Sequence, residues 1–260
     1  MKNLSIQQVR SFWEENPLCA GINPHPLGSK EYFAYYDCLR EANESVEFSR
    51  RVHEYDNFPG KKVLDVGCGN GYVLSRYARE KARTFGVDLT WIGIALSRQR
   101  FALEGLSGEF INANAEDLPF ATESFDCVCS MGVLHHTPNT VSAVDEIYRV
   151  LKPGGRLILM LYHRNSALYR IKYPLVSLLS GKSIQQLVNE ADGVGNPKGE
   201  VYSEKEMRNL LYKFHKLEIF PGCLKGFMLL PRIGQLIPDG LLRRFEQRWG
   251  WFLYAKGTKS

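Results

Sequence analysis

Leu64-Asp65-Val66-Gly67-Cys68-Gly69-Asn70-Gly71-Tyr72 sets three glycines between an apolar run and a stretch of helical period. A strand, a glycine turn and a helix in that order open a parallel, doubly wound sheet. Glycine suits the turn because the backbone must bend sharply and lie bare, while the helix start beyond it offers unpaired N–H groups. Outward from this stretch, β-rich runs at Val63–Val66, Thr84–Val87, Phe110–Asn112, Phe125–Ser130 and Arg156–Tyr162 alternate with helical segments. Val73, Leu74, Tyr77 and Ala78 fill one helix face, and Val141, Val144, Tyr148 and Leu151 recur at helical intervals. Lys152-Pro153-Gly154-Gly155 ends that helix and turns the chain into the fifth strand, since proline cannot continue a helix. With two later strand candidates, Leu217–Phe220 and Trp251–Ala255, the expectation is an α/β fold with a mostly parallel, seven-stranded, Rossmann-like sheet.

Residues 1–60, rich in Tyr, Phe and Trp and broken by Pro17, Pro24 and Pro26, read as a helical cover; 61–162 read as the ligand-binding core. Residues 163–260 read as a lid insertion followed by the remaining strands, with a flexible connection at 191–199. A capping box at Ser203-Glu204-Lys205-Glu206 opens a helix expected to reach about Phe214. The 260 residues are 44% hydrophobic and 23% charged, which excludes disorder and coiled coil and needs no disulfide or metal staple. The six cysteines form no C-x-x-C pair and read as reduced thiols. The first residues lack the continuous apolar run of a signal peptide, and no stretch approaches a membrane span, so the expected location is cytoplasmic without membrane insertion. A net charge of +5 with no basic stripe disfavours nucleic acid as a partner.

The second strand ends at Gly86-Val87-Asp88-Leu89, which places a carboxylate where it accepts the two hydroxyls of a ribose; the plain alternative is a solvated strand-end acid. A nicotinamide oxidoreductase shares this loop and acid. Its G-x-G-x-x-G spacing, however, puts Tyr72 at the third glycine, and Asp65 at the loop head would repel a pyrophosphate yet suits an ammonium group. The expected ligand is therefore a nucleoside bearing an amino acid.

With Val63–Gly71, Gly86–Leu89, Ala113-Asn-Ala-Glu-Asp-Leu-Pro-Phe120, Ser124-Phe-Asp126, Gly132-Val-Leu-His-His-Thr-Pro138 and Glu146–Gly155, the core resembles a class I S-adenosylmethionine-dependent methyltransferase. The resembling group includes ubiquinone and menaquinone C-methyltransferases and many small-molecule enzymes. The resemblance covers about 61–162 and implies S-adenosylmethionine as cofactor. It implies that Gly67 and Gly69, with Cys68 and Gly71 of the same loop, face the methionyl end above Asp65. Asp88 would hold the ribose and Leu89 would pack on adenine. Asn114 and the Ala115 or Glu116 N–H would meet the adenine edge, although many relatives carry Asp where Asn114 stands. Ser130 and Met131, ending the fourth strand, complete the cofactor wall.

Transfer from a sulfonium is an in-line displacement, so positioning carries most of the acceleration and few side chains are needed. His136 is the candidate base, weighed against a loop-fixing histidine; adjacent His135 would point away unless it too serves. Tyr35 and Tyr36 of the cover, and Tyr162 and Arg164 after the fifth strand, are candidate substrate contacts, with core packing and an exposed arginine as the plain alternatives. No metal is expected, because no carboxylate stands near the histidines at a recognisable spacing. The reading is a methyltransferase for a small aromatic or apolar acceptor, with O-, N-, S- and C-methylation all open. A non-catalytic S-adenosylmethionine sensor or scaffold is the alternative. The acceptor's identity and the oligomeric state are not legible.

Overall fold

Buried runs flanked by helical stretches resolve into strands β1 (Lys62–Val66), β2 (Arg83–Asp88), β3 (Glu109–Asn112), β4 (Phe125–Met131) and β5 (Leu151–His163) in the computed structural model, which describes residues 4–229 and 233–260. Two residues, Val201–Tyr202, form β6; Phe214–Gly222 form β7 and Phe252–Lys259 form β8. The sheet order is β3-β2-β1-β4-β5-β8-β7, with β6 beside the end of β5. β1 to β5 run parallel and β8 is antiparallel to both β5 and β7. The order reverses between β1 and β4, so the crevice for a ligand opens beyond their carboxyl ends.

Three helices precede the sheet: α1 (Ile6–Glu15), α2 (Lys30–Asn43) and α3 (Val46–His53). Within the core come α4 (Tyr72–Arg79), α5 (Trp91–Glu104) and α6 (Thr140–Val150); beyond it are α7 (Tyr173–Ser180), α8 (Ile184–Asn189), α9 (Glu204–Leu210), α10 (Gly226–Leu229) and α11 (Asp239–Trp249). Alternation along the strands divides the core. Leu64, Val66, Val128, Leu157 and Leu159 meet α6 and α9 on one face, whereas Val63, Cys127, Cys129, Ile158 and Met160 meet α4, the N-terminal helices and the segments after β5 on the other. Asp65 shares the second face by the same period and registers beside Cys129.

Two local expectations are corrected. Val141 is 58% exposed and Leu151 already belongs to β5; the buried face of α6 is Ala143, Val144, Ile147 and Val150. Asn139 sets that phase, since its side chain accepts from the Ser142 N–H. α9 stops at Leu210 rather than near Phe214, because Phe214 is buried in the core and begins β7. Strand pairing there outweighs helical propensity.

Candidate active site

β1 delivers the chain into Gly67, whose φ of +81° is open to glycine and whose added Cβ would lie 2.3 Å from the Val133 side chain. The Gly67 and Cys68 N–H groups both donate to the Val87 carbonyl, tying the loop to β2. Asp88, ending β2, is pinned from two sides. Its Oδ2 accepts from Gly69 N–H at 2.9 Å, and its Oδ1 accepts from the Thr90 N–H and hydroxyl. Three of its roughly four lone-pair sites are thus filled. Burial raises its carboxyl above the usual range against those donors.

Asp65 lies on the floor of a cleft of about 950 Å³, at the upper end of ligand-pocket sizes. Burial pushes its carboxyl up to about 7, reinforced by the Asp88 charge and opposed by hydrogen bonding from the Cys129 thiol and by the Arg40 charge. Desolvation favours the neutral carboxyl, and a cation placed beside it would favour the charged form. Arg40 of α2 lines the same cleft; its Nη2 lies 2.8 Å from Glu44 and its Nε has no acceptor among the described residues. Sequence reading missed Arg40. The signal was available in its spacing, one helical turn beyond Tyr36 on the cleft side of α2.

Leu89, Cys68, Gly69, Met131, Asn114 and Ala115 also line the cleft. The Asn114 side chain, however, accepts from the Glu116 N–H at 3.1 Å, closing a local turn. Glu116 is therefore corrected: its N–H is committed to Asn114, its carboxylate accepts from Asn139 N–H, and it does not line the cleft. Gly71 is corrected too. Its φ of +76° starts α4, and a Cβ there would press on the Ser97 backbone at 3.2 Å, so it serves helix packing. Ser130 is fully buried and donates to the Val66 carbonyl at 2.8 Å, stitching β4 to β1 away from the cleft.

At the opposite end of the cleft stand His136, Tyr162 and Asp192. His136 sits in the short turn after β4, where its Nδ1 lies 2.6 Å from the Lys198 carbonyl. A carbonyl carries no hydrogen, so Nδ1 is the protonated nitrogen and Nε2 keeps a lone pair. That Nε2 faces Asp192 Oδ2 at 3.4 Å, while the Tyr162 hydroxyl donates to Asp192 Oδ1. Burial lowers the imidazole pKa, against Asp192 and the Lys198 carbonyl, which raise it; burial likewise raises the Asp192 carboxyl. Trp13 of α1 packs edge-on to His136 with centroids 5.1 Å apart. Trp13, Asp192 and Lys198 carry no motif; they arrive from the cover and the lid.

Other candidates fall elsewhere. His135 is fully buried, its ring tilted between His136 and Tyr162 with centroids 4.0 and 4.1 Å away, and does not line the cleft. Tyr36 lines it, but Tyr35, one step round α2, packs on His25 outside. Arg164 is half exposed and turns to Glu206 at 2.9 Å and the Val201 carbonyl at 2.7 Å. The carboxylate that no spacing near the histidines showed comes from Asp192, distant in sequence. His135, His136 and Asp192 bring one donor atom each within 4.8 Å of one another. The single carboxylate already accepts from Tyr162, and the nearby Lys198 ammonium disfavours further positive charge on both imidazoles, so the arrangement suits a mobile proton.

Known proteins match this geometry. Residues 64–159 fit the family described as a methyltransferase domain. The chain is 42% identical over 114 residues to the phthiotriol/phenolphthiotriol dimycocerosates methyltransferase of Mycobacterium leprae, covering 43% of this chain and 42% of that protein. It is 31% identical over 141 residues to the ubiquinone biosynthesis O-methyltransferase of Pseudomonas fluorescens, covering 53% and 57%. The chain thus spans about half the length of the curated relatives it matches. The magnesium protoporphyrin IX methyltransferase of Synechocystis, solved with bound S-adenosylhomocysteine, shares the fold with a TM-score of 0.65 at 14% identity, covering 98% of this chain and all of that one. The sheet order and the glycine turn after β1 agree with the matched family: residues 64–159 are similar to a class I S-adenosylmethionine-dependent methyltransferase domain.

Proposed function

We propose that the chain methylates a small aromatic or apolar molecule at an atom that gives up a proton, a hydroxyl fitting best. The observation that carries this reading is the cleft itself, which runs from Asp88 past the glycine turn to the His136–Asp192 pair. S-adenosylmethionine supplies an activated methyl on a sulfonium. Asp65 and Arg40 suit its ammonium and carboxylate, Asp88 has room for a ribose hydroxyl, and Leu89 with Ala113 to Ala115 suits the adenine. The acceptor end is walled by Trp13, Tyr162, Trp251 and Phe252, which favours a flat or greasy partner. The two curated relatives are named for phthiotriol and phenolphthiotriol dimycocerosates and for ubiquinone biosynthesis, which supports such acceptors.

The residues perform acid–base work simply. As the acceptor oxygen attacks, its proton passes to His136 Nε2 and the neutral imidazole becomes a cation. Asp192 gains an ion pair at that moment, so it stabilises the transition state more than the resting state. Tyr162 holds the carboxylate and the Lys198 carbonyl holds the imidazole tautomer. Release of S-adenosylhomocysteine with ubiquinone-like catechols and with phenolic lipids tests the reading. His136→Gln and Asp192→Asn should each lower turnover roughly 10²- to 10⁴-fold with cofactor affinity retained. Unchanged turnover in both variants overturns the base assignment, and cofactor binding with no transfer to any acceptor favours the sensor alternative.

A further inference from the structure

One surface departs from the rest of the molecule. α7 (Tyr173–Ser180) reads YPLVSLLS, and none of its residues is buried; Leu178 and Leu179 are 82% and 79% exposed. Elsewhere helices of similar length bury their apolar side, as α4 does with Val73, Leu74 and Tyr77. The turn Leu168–Lys172 that precedes α7 packs against both α7 and α10, with its Lys172 ammonium 5.4 Å from the Phe227 ring of α10. Ala167, Leu224 and Leu242 share one buried cluster, which joins these elements to α11, whose Leu241 and Phe245 are also exposed. An exposed apolar expanse on that scale marks an interaction surface.

Charge identifies the partner. Residues 167–189 hold three cations and no acid, and 224–249 hold five cations against two acids; the two stretches together outweigh the +5 of the entire chain. Around the core Arg50, Arg76, Arg79, Arg100, Arg149 and Arg156 each hold a carboxylate. Among the described residues, Arg170, Lys172, Arg243 and Arg244 hold none. Leucines bare to water beside unpaired cations match the boundary of an anionic bilayer, where the apolar groups enter the acyl layer and the cations stay with the headgroups. A second copy of this chain would bring like charges together.

We propose that this face, built from 168–184, α10 and α11, seats the protein on anionic lipid without spanning it. No helix among the described residues is long and apolar enough to cross a membrane. The same two segments lead into the acceptor wall, at Asp192 and Gly193 after α8 and at Trp251 after α11. A seated protein therefore presents the acceptor end of its cleft to lipid-dissolved molecules.

The test is co-sedimentation of the full chain with vesicles of phosphatidylcholine alone and of equal parts phosphatidylcholine and phosphatidylglycerol, without cofactor or acceptor. The outcome is therefore independent of whether methyl transfer occurs. Binding is expected to the anionic vesicles, to weaken as salt rises, and to fall about 30-fold in R243A/R244A. L178E/L179E should lose binding while its circular dichroism and melting temperature match the parent, since both leucines face water. Absence of vesicle binding, equal binding to neutral and anionic vesicles, or an L178E/L179E-sensitive dimer in sedimentation velocity would each overturn the proposal.

Discussion

Asp65 concentrates the site's electrostatics in one side chain. Its folded pKa of about 7 lies above the ordinary carboxyl value, so its contribution to stability is complete below about 4 and is lost as pH rises through about 7. An arriving ammonium reverses this by favouring the charged carboxylate. Calorimetry of S-adenosylmethionine binding near pH 6.5, in buffers of different ionisation enthalpy, should show proton release. Asp65→Asn should abolish that release, weaken binding roughly 10- to 100-fold, and gain stability over the parent apoprotein progressively from pH 4 to 7. Gly67→Ala should fail in a different way: its Cβ meets Val133 at 2.3 Å and its φ is strained, so cofactor affinity and melting temperature should fall together.

Among the elements, α5 anchors the others. Arg100, fully buried, donates to Asp37 of α2 at 2.9 and 3.1 Å and to the Asn70 carbonyl in the glycine turn at 2.8 Å, and stacks over Phe33. Glu104 is a second, longer partner of Arg100 at 3.4 Å, so Asp37→Ala leaves the buried guanidinium underpaired rather than bare and should cost up to about 3 kcal/mol, more than Arg100→Met, which removes the buried charge. Chemical denaturation of both variants measures the difference. Glu14, at the end of α1, accepts from the Trp91 and Ile92 N–H groups at 2.9 Å each and so fastens α1 to the start of α5 beside the cleft. Glu14→Gln should slow neither folding nor chemistry directly; it should raise the cofactor off-rate in stopped-flow fluorescence.

Across the whole molecule, burial governs the acid limb of stability. His53 is held neutral, its pKa pushed down to about 3 by burial and by Arg40 and Arg76, with no hydrogen-bond partner on either ring nitrogen among the described residues. Burial depresses His135, His136 and His163 as well. Each contributes stability present above about pH 6.5 that is lost as pH falls. His53→Leu should move the acid-unfolding midpoint to lower pH in a circular-dichroism titration, whatever its stability at pH 8.

What the sequence by itself determined is the sheet and the end of the cleft at the glycine turn. The glycine turn, Asp65, Asp88 and Leu89 sit where strand ends and backbone φ values dictate, and those are set by neighbours a few residues away. Only the tertiary structure decided the other end. Asp192 comes from the segment after α8, Trp13 from α1 and Arg40 from α2, and the choice of Tyr36 over Tyr35 or of His136 over His135 as a lining residue depends on how α2 and the turn after β4 settle on the sheet. Arg164 and Ser130 were claimed by nearer partners, Glu206 and Val66. Local geometry is written in adjacent residues, whereas the meeting of distant segments follows from which packing buries the most apolar surface and leaves the fewest polar groups unpaired.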